Sequence, residues 1–373
     1  MKQVVISGTG LYTPSQSISN DELVEAFNAF VSDYNESNKA QIEAGTLEAL
    51  AESNSAFIEK ASGIKSRFVI DKAGILDPKR MTPHIRERSN DEPSIQCEMA
   101  VNAAKEALIQ AGKTVADVDM VIVACSNLQR AYPAIAVEVQ TALGINGFAY
   151  DMNVACSSAT FGIQSAVNAI QSGSARCVLM VNPEICSAHL NFRDRDSHFI
   201  FGDACTAVIL EDIEQASSDK QFKILDTKLQ TVFSNNIRNN AGFLNRCDEA
   251  GLGQADKLFV QNGRKVFKEV CPMVAAQITA QLDKLDIPAQ KLTRMWLHQA
   301  NLSMNKLISK RVLGREASLE ESPVILDRYA NTSSAGSIIA FHLYKDDIAT
   351  GQLGVVCSFG AGYSIGSVVL EKC

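Results

Sequence analysis

The chain contains two similar series of predicted helices and strands, spaced almost equally along its 373 residues. A helix at Met99–Ala111 and a strand at Met120–Val123 have counterparts 174 residues later. The tripeptide Ser157–Ala159 returns as Ser333–Ala335 after 176 residues. Triplets of small residues are common, but a whole helix–strand–loop–helix series at nearly constant spacing indicates an internal duplication.

Strands alternate with helices in both expected halves, residues 1–215 and 216–373. This alternation is typical of α/β proteins, in which helices cover the faces of largely buried sheets. The composition agrees, since 46% of the residues are apolar and the mean hydropathy is close to zero. Loops that follow equivalent strands would converge where the halves meet, so we expect a functional site there.

Charge and composition exclude several classes of function. The formal net charge is −7 without a long basic run, so nucleic-acid binding is not expected. No stretch reaches the ~18–20 apolar residues of a membrane span, and the chain opens as a strand at Gln3 rather than as a signal peptide. The ten cysteines lack CxxC spacing, so we expect no metal site, and unpaired thiols favour the reducing cytoplasm.

The most informative cysteine, Cys156, lies where a predicted strand meets a predicted helix. The strand covers residues 148–154, and apolar residues at helical spacing from Ala159 to Ile170 predict a helix that ends at Gly173. A thiol at this joint would face free backbone N–H groups and the positive end of the helix dipole, which favour the thiolate. Cys156 is thus a candidate nucleophile, although a role as a small buried hydrophobic residue fits equally well.

Three further segments follow predicted strands: His298, Asn331 and the glycine-rich Phe359–Gly362. His298 comes directly after the strand Arg294–Leu297, and Asn331 occupies a strand-to-helix joint like that of Cys156. Each also has an ordinary structural interpretation, as a hydrogen-bonded histidine, a helix-capping asparagine and a turn. Taken singly, the residues leave both interpretations open.

Together, these segments and their spacing resemble the condensing enzymes of the thiolase superfamily. The nearest match is β-ketoacyl-acyl-carrier-protein synthase III, in a longer variant. The shared motifs extend over nearly the whole chain: Gly8–Gly10, Ser62–Ile64, the Cys156 segment, Phe201–Asp203, Asn262–Gly263, Val266–Lys268, His298–Asn301, Asn331–Ser333 and Phe359–Gly362. The resemblance implies an α/β, thiolase-like fold with a duplicated five-layered αβαβα architecture and two mixed sheets.

The resemblance also implies a reaction, the decarboxylative Claisen condensation of an acyl-CoA primer with malonyl-acyl carrier protein in fatty acid biosynthesis. Cys156 would hold the acyl group as a thioester. The backbone N–H groups of Cys156 and Ala361 would bind the oxyanion. His298 and Asn331 would stabilise the enolate that forms as CO2 departs. No permanently bound cofactor is expected, because acyl-CoA enters as a substrate.

The binding positions of the family carry over unevenly. Arg195 and Phe57 match the residues that flank the adenine of coenzyme A, and Asn301 belongs to the same set. Ala61 and Ser303 stand where arginines often contact the phosphates, so the usual phosphate contacts are not all expected. A basic patch that could dock the acidic carrier protein, or could simply be solvated surface charge, consists of Lys265, Lys268, Lys306, Lys310 and Arg311.

Residues 28–56 form a longer segment than in compact relatives, which motivates the hypothesis of a medium-chain acyl-CoA primer. Family members pair through the central sheet, so we expect a homodimer in which residues 128–133 reach the partner's pocket. Other acceptors for the acyl group, thioester hydrolysis and head-to-head condensation in a specialised pathway stay open. A non-catalytic ketosynthase-like subunit is disfavoured, because Cys156, His298 and Asn331 are all retained.

Overall fold

The computed structural model describes residues 2–240 and 247–373 as an α/β fold. Its strands are β1 (Val4–Tyr12), β2 (Gln16–Ser19), β3 (Ser66–Val69), β4 (Met120–Ala124), β5 (Phe148–Met152), β6 (Cys177–Ile185), β7 (Asp203–Asp212), β8 (Phe222–Ser234), β9 (Ile237–Arg238), β10 (Val260–Gln261), β11 (Leu292–Leu297), β12 (Leu353–Gly360) and β13 (Gly362–Lys372).

The α-helices alternate with these strands over most of the chain, as the sequence predicts. They are α1 (Asn20–Ser37), α2 (Lys39–Glu43), α3 (Ser55–Ser62), α4 (Lys72–Leu76), α5 (Ile95–Ala111), α6 (Ile135–Leu143), α7 (Ser158–Ser172), α8 (Gly263–Lys284), α9 (Leu302–Leu313), α10 (Leu326–Tyr329) and α11 (Ala335–Leu343). None of the described helices combines the length and apolar character needed to cross a membrane.

Nine strands form one mixed sheet in the order β11-β12-β13-β8-β1-β7-β6-β4-β5. β4 pairs in parallel with β5 and β6, and β11 with β12, whereas the other neighbours are antiparallel. The first-half and second-half strands meet where β1 and β8 share two residue pairs, Val5 with Lys223 and Ile6 with Phe222. The expectation of two mixed sheets is therefore corrected, because this short ladder joins both into one continuous sheet.

Helices cover both outer faces of the sheet and fill the space between its halves, which gives the expected five layers. The apolar faces of α5 and α6 pack on β4, β6 and β7. α7 and α11 lie in the centre and contact strands of both halves, including Met180 of β6 and Val356 of β12. α8 and α9 cover the outer face of the second half. Burial on both faces explains why the central strands are continuous apolar runs.

The approach of α5 to β1 shows how closely these layers pack. α5 starts after Ser94, whose side chain accepts a hydrogen bond from the N–H of Cys97, and it ends before Gly112 at a φ of 64°. Gly10 of β1 lies directly under the helix, since a Cβ atom there would be 2.0 Å from the carbonyl oxygen of Ala103. The first glycine motif of the sequence thus serves packing rather than nucleotide binding.

A smaller layer built from α1, α3, β2 and β3 lies over one end of the sheet. It has an apolar cluster of its own, in which Phe27 and Ile58 pack with Phe199 and Phe201 from the loop before β7. Three helices, α1, α2 and α3, separate β2 from β3. β7 ends at Asp212 and β8 begins at Phe222, while a domain boundary at residue 215 stays a prediction.

Candidate active site

Cys156 lies in a single 3-10 turn, Ala155–Ser157, between β5 and α7. Ala155 has a φ of 46°, a left-handed conformation that residues with a side chain seldom adopt. The side chain of Asn153 accepts a hydrogen bond from the Ala155 N–H at 2.8 Å, and Ser158 donates to the Ala155 carbonyl at 2.7 Å. Backbone strain of this kind persists only where neighbouring groups hold the backbone in place. Here the two hydrogen bonds hold Ala155, the residue before the candidate nucleophile.

One pocket of about 570 Å³ is lined by Cys156, His298 and Asn331. The three side chains come from loops after β5 and β11 and from the turn before α11, so the convergence expected from the duplication is present. Most of the remaining wall is apolar and aromatic, and includes Phe199, Phe201, Phe259, Phe267, Val270 and Met304. The volume is within the usual range of a ligand pocket, and the wall suits an aliphatic chain.

The hairpin that joins β12 to β13 packs in van der Waals contact with Cys156. A Cβ atom on Gly360 would lie 2.6 Å from the Cβ and 3.0 Å from the Sγ of Cys156, so this position admits no side chain. The backbone N–H groups of Cys156 and Ala361 both lower the pKa of the Cys156 thiol, which places them beside the sulfur. These are the two groups that the sequence assigns to an oxyanion hole.

The thiol itself is not a resting thiolate. Burial raises the pKa of Cys156 to about 11, and hydrogen bonds from Ser333 and the two backbone N–H groups only partly oppose this. Desolvation therefore opposes the expected effect of the helix N-terminus on Cys156, whose side chain is partly buried. The thiol proton has to leave as the sulfur attacks a substrate.

His298 is 2% exposed and follows β11, where its N–H donates to the Cys357 carbonyl at 2.8 Å. Its ring stands perpendicular to that of Phe359, with centroids 5.2 Å apart. Burial lowers the pKa of His298 to about 4, and the Ser333 backbone partly opposes the shift. The imidazole is consequently neutral at physiological pH and can donate one N–H without carrying charge.

Asn331 is held by backbone bonds on both sides: its N–H donates to Ile200 and its carbonyl accepts from Gly202. The N–H of Ser333 donates to the side-chain oxygen of Asn331 at 2.8 Å. Because the oxygen of the carboxamide accepts this bond, the Asn331 amino group is the end that faces the pocket. No described residue accepts from the Asn331 Nδ2, which leaves that amino group available to a ligand in the pocket.

Sequence reasoning missed a buried carboxylate, Glu184, that ties the two halves together beside this pocket. Ser126, after β4, donates its N–H and hydroxyl to Glu184 at 2.9 and 2.6 Å. Ser334, before α11, donates its N–H at 3.2 Å, and its hydroxyl also binds Glu184. Burial raises the pKa of the Glu184 carboxyl, whereas these donors lower it. A charged residue near the end of a strand that begins as an apolar run was the available signal.

Arg195 and Phe57, the residues predicted to flank the adenine of coenzyme A, lie in direct contact and leave no space for a ring between them. The guanidinium carbon of Arg195 lies 4.6 Å from the centre of the Phe57 ring, and its Nε donates to the Glu52 carbonyl at 2.7 Å. An aromatic ring between the two would need about 7 Å, twice the ordinary contact distance. Asn301 caps α9 and donates to the Ala61 carbonyl at 2.8 Å, so its side chain already has partners.

The five predicted docking cations are exposed on α8 and α9, two helices that pack side by side and both begin at the pocket. Lys310 forms an ion pair with Glu316 at 2.7 Å. The sequence prediction passed over Arg264, which is the only lysine or arginine among the described residues that line the pocket. Arg264 could have been predicted from the sequence, because it lies between the shared motifs Asn262–Gly263 and Val266–Lys268.

Residues 28–56 do not contribute to the pocket lining. They contact the loop at its mouth, where Phe30 lies 5.2 Å from the Arg193 guanidinium carbon. The longer segment therefore lies beside the pocket entrance rather than in the pocket wall. Leu128 lines a separate pocket of about 440 Å³ with residues 85–96, which shares no described lining residue with the first.

Comparison with known proteins explains this arrangement. Models of the N- and C-terminal parts of 3-oxoacyl-acyl-carrier-protein synthase III match residues 150–232 and 282–372. A β-ketodecanoyl-acyl-carrier-protein synthase of Pseudomonas aeruginosa is 68% identical over 94% of this chain and 100% of its own length. The chain belongs to the 3-oxoacyl-acyl-carrier-protein synthase III family.

Solved structures agree on the thiolase-like fold. The synthase III of Aquifex aeolicus is 24% identical, covers 99% of both chains and has a TM-score of 0.75. The priming β-ketosynthase of the R1128 polyketide pathway reaches a TM-score of 0.79 at 22% identity, over 99% of this chain and 96% of its own.

Membership in the synthase III family confirms the predicted enzyme class, a condensing acyltransferase of fatty acid synthesis. The alternative of a non-catalytic subunit is thereby rejected. The roles of individual residues, the primer and the partners are not decided by family membership, and they stay predictions.

Proposed function

We propose that this enzyme joins an octanoyl primer, delivered as octanoyl-CoA, to malonyl-acyl carrier protein and releases β-ketodecanoyl-acyl carrier protein, CO2 and free coenzyme A. The observation that carries the proposal is one apolar pocket that holds a thiol, a neutral imidazole and a free amide donor. The β-ketodecanoyl product in the name of the Pseudomonas relative has ten carbons. Malonyl extension adds two carbons, so eight come from the primer.

In the first step, the Cys156 sulfur attacks the thioester carbonyl of the primer. A carbon–sulfur bond to Cys156 forms, the bond to coenzyme A breaks, and the thiol proton leaves with the coenzyme A thiolate. The N–H groups of Cys156 and Ala361 stabilise the oxyanion, since both act on the sulfur that carries the acyl group. Because the pKa of Cys156 is raised, its sulfur is the poorer leaving group of the two in the tetrahedral intermediate, which favours departure of the coenzyme A thiolate.

In the second step, the malonyl group enters and its carboxylate leaves as CO2. The electron pair of the broken carbon–carbon bond passes into an enolate, whose oxygen accepts hydrogen bonds from His298 and from the Asn331 Nδ2. The enolate carbon then attacks the acyl group on Cys156, and the sulfur departs to regain a proton. Neutral donors are sufficient because loss of CO2, rather than a base, generates the carbanion.

A panel of acyl-CoAs tests the primer. Intact-mass measurement after brief exposure to acetyl-, butyryl-, octanoyl- and hexadecanoyl-CoA is expected to show an adduct mainly from octanoyl-CoA, since the pocket wall is largely apolar. The Cys156→Ala variant is expected to form none. A preference for acetyl-CoA would refute the medium-chain assignment, and an adduct on Cys156→Ala would refute the nucleophile.

We assign recognition of the coenzyme A phosphates to Arg264. It supplies a positive charge at the pocket, whereas Ala61 and Ser303 stand where family members often have arginines. Arg264 belongs to the first turn of α8, so the N-terminal end of the helix dipole adds to its field. The stacked pair of Arg195 and Phe57 would separate to admit the adenine ring.

The Arg264→Ala variant is expected to raise KM for octanoyl-CoA about tenfold, the effect of losing one charge-assisted hydrogen bond near the surface. Loading from octanoyl-N-acetylcysteamine, which has no phosphate, is expected to stay unchanged. Lys284→Ala is the matched control, because Lys284 is an exposed cation of the same helix, in its last turn and outside the pocket lining. Equal losses with both thioesters would contradict the assignment.

A homodimer that pairs through β5 completes the proposal. β5 is an edge strand of the nine-stranded sheet, and its aromatic residues Phe148 and Tyr150 are 43% and 37% exposed. An unprotected apolar edge readily pairs with another strand. Since Cys156 follows β5 by four residues, residues 128–133 of each subunit would then lie near the other active site. The exposed cations of α8 and α9 would dock the acidic carrier protein.

Sedimentation at micromolar concentration is expected to give twice the 40.3 kDa mass of one chain. Phe148→Lys is expected to weaken the dimer, because it places a charge on the paired edge. Val232→Lys, on the similarly exposed Val232 of β8, is the control. A monomer in the wild type would exclude this arrangement.

A further inference from the structure

Ser333 hydrogen-bonds two of the three side chains that the sequence assigns to catalysis. Its hydroxyl donates to the Cys156 Sγ at 3.4 Å, and its N–H donates to the Asn331 side-chain oxygen at 2.8 Å. Its backbone also acts on the titration of His298. Within the described part of the chain, no other side chain donates a hydrogen bond to the sulfur.

The backbone at Ser333 is built to hold this position. Ser333 is 2% exposed and has a φ of 48°, in the left-handed region that glycine adopts without strain. The following residue, Ser334, is anchored by Glu184, and the N–H of Ala335 donates to the Thr332 carbonyl at 3.1 Å. A side chain held in an unfavourable conformation by its neighbours is characteristic of functional sites.

We propose that Ser333 is a fourth catalytic residue, whose hydroxyl hydrogen-bonds the Cys156 sulfur while negative charge develops on it. That charge appears twice: when the thiol loses its proton during acylation, and when the sulfur departs during condensation. The hydroxyl keeps its own proton throughout, so the balance of the reaction is unchanged. Meanwhile the Ser333 N–H keeps the Asn331 amino group turned toward the enolate oxygen.

The inference rests on the proposed function in one respect, that Cys156 is the nucleophile. The first test therefore uses alkylation, which needs neither acyl-CoA nor carrier protein. Iodoacetamide reacts with thiolates, so its rate at a fixed pH below the pKa reports the thiolate fraction. Cys247 and Cys373 are exposed and will also react, so the peptide that contains Cys156 must be quantified by mass.

The Ser333→Ala variant is expected to alkylate Cys156 about tenfold more slowly at pH 8 to 9, equivalent to a rise of about one unit in the thiol pKa. Ser333→Gly removes the same hydroxyl but relieves the backbone strain, and it is expected to show the same loss. Ser337→Ala is the matched control, because the Ser337 hydroxyl is buried on α11 and pairs with Ser358 at 2.8 Å, away from the sulfur. This control is expected to match the wild type.

Loading from octanoyl-CoA provides the second measurement. Both Ser333 variants are expected to load about tenfold more slowly with unchanged KM, while decarboxylation of malonyl-carrier protein changes less, because the backbone N–H to Asn331 is retained. Wild-type alkylation rates in Ser333→Gly would overturn the proposal, since strain rather than the hydroxyl would then explain any defect in Ser333→Ala. If alkylation slows in both variants but no acyl group ever loads, the hydroxyl's effect stands and the proposed function fails.

Discussion

The close packing of the Gly360 backbone against Cys156 is the constraint on which the site depends. Gly360 belongs to the second half of the chain and Cys156 to the first, so the site exists only when the halves are docked. The central helices α7 and α11 make that docking possible, because each packs on strands of both halves. Glu184 adds a buried polar link, with donors from Ser126 and Ser334 on either side. Such fully satisfied buried networks specify one arrangement of the groups they join.

The same packing sets the electrostatics of the pocket. Burial keeps the Cys156 proton in place and the His298 ring neutral, so the site holds three uncharged functional side chains. Burying a neutral group costs less free energy than burying an ion, so these side chains need no counter-charges before the enolate and the oxyanion form. Donors that are fixed before the reaction begins stabilise these charges without reorganisation. This arrangement suits a reaction whose driving step is loss of CO2 rather than removal of a proton by a base.

Much of the fold and the position of the candidate site could be predicted from the sequence. Helical periodicity and glycine positions gave α5, α7 and the strand before Cys156, because amphipathic spacing and left-handed caps are local properties. The repeat of 174–176 residues predicted the convergence of the loops, and the motif around Asn331 identified the family. Local patterns could not predict the ladder between β1 and β8, since two pairs of residues far apart in the chain leave no periodic signal.

Other features depend on three-dimensional surroundings that a motif does not contain. The pKa of Cys156 is raised chiefly by the protein that surrounds the sulfur, which the sequence around Cys156 does not show. Ser333 stands inside a recognised motif, but its contact with the sulfur depends on a left-handed turn that serine seldom adopts. The length of the 28–56 segment suggested a role in the pocket, whereas the fold puts this segment at the entrance.

The central claim is that His298 and Asn331 serve the decarboxylation step, while Cys156 carries the acyl group. A single-turnover experiment tests it most directly: enzyme preloaded with an octanoyl group is mixed with malonyl-carrier protein labelled in the free carboxyl, and CO2 and product are counted. Wild-type enzyme should release one CO2 per β-ketodecanoyl product. The His298→Ala and Asn331→Ala variants should still load the octanoyl group but release CO2 about 100-fold more slowly, the typical loss for one oxyanion donor. Condensation at wild-type rates in both variants would contradict the account.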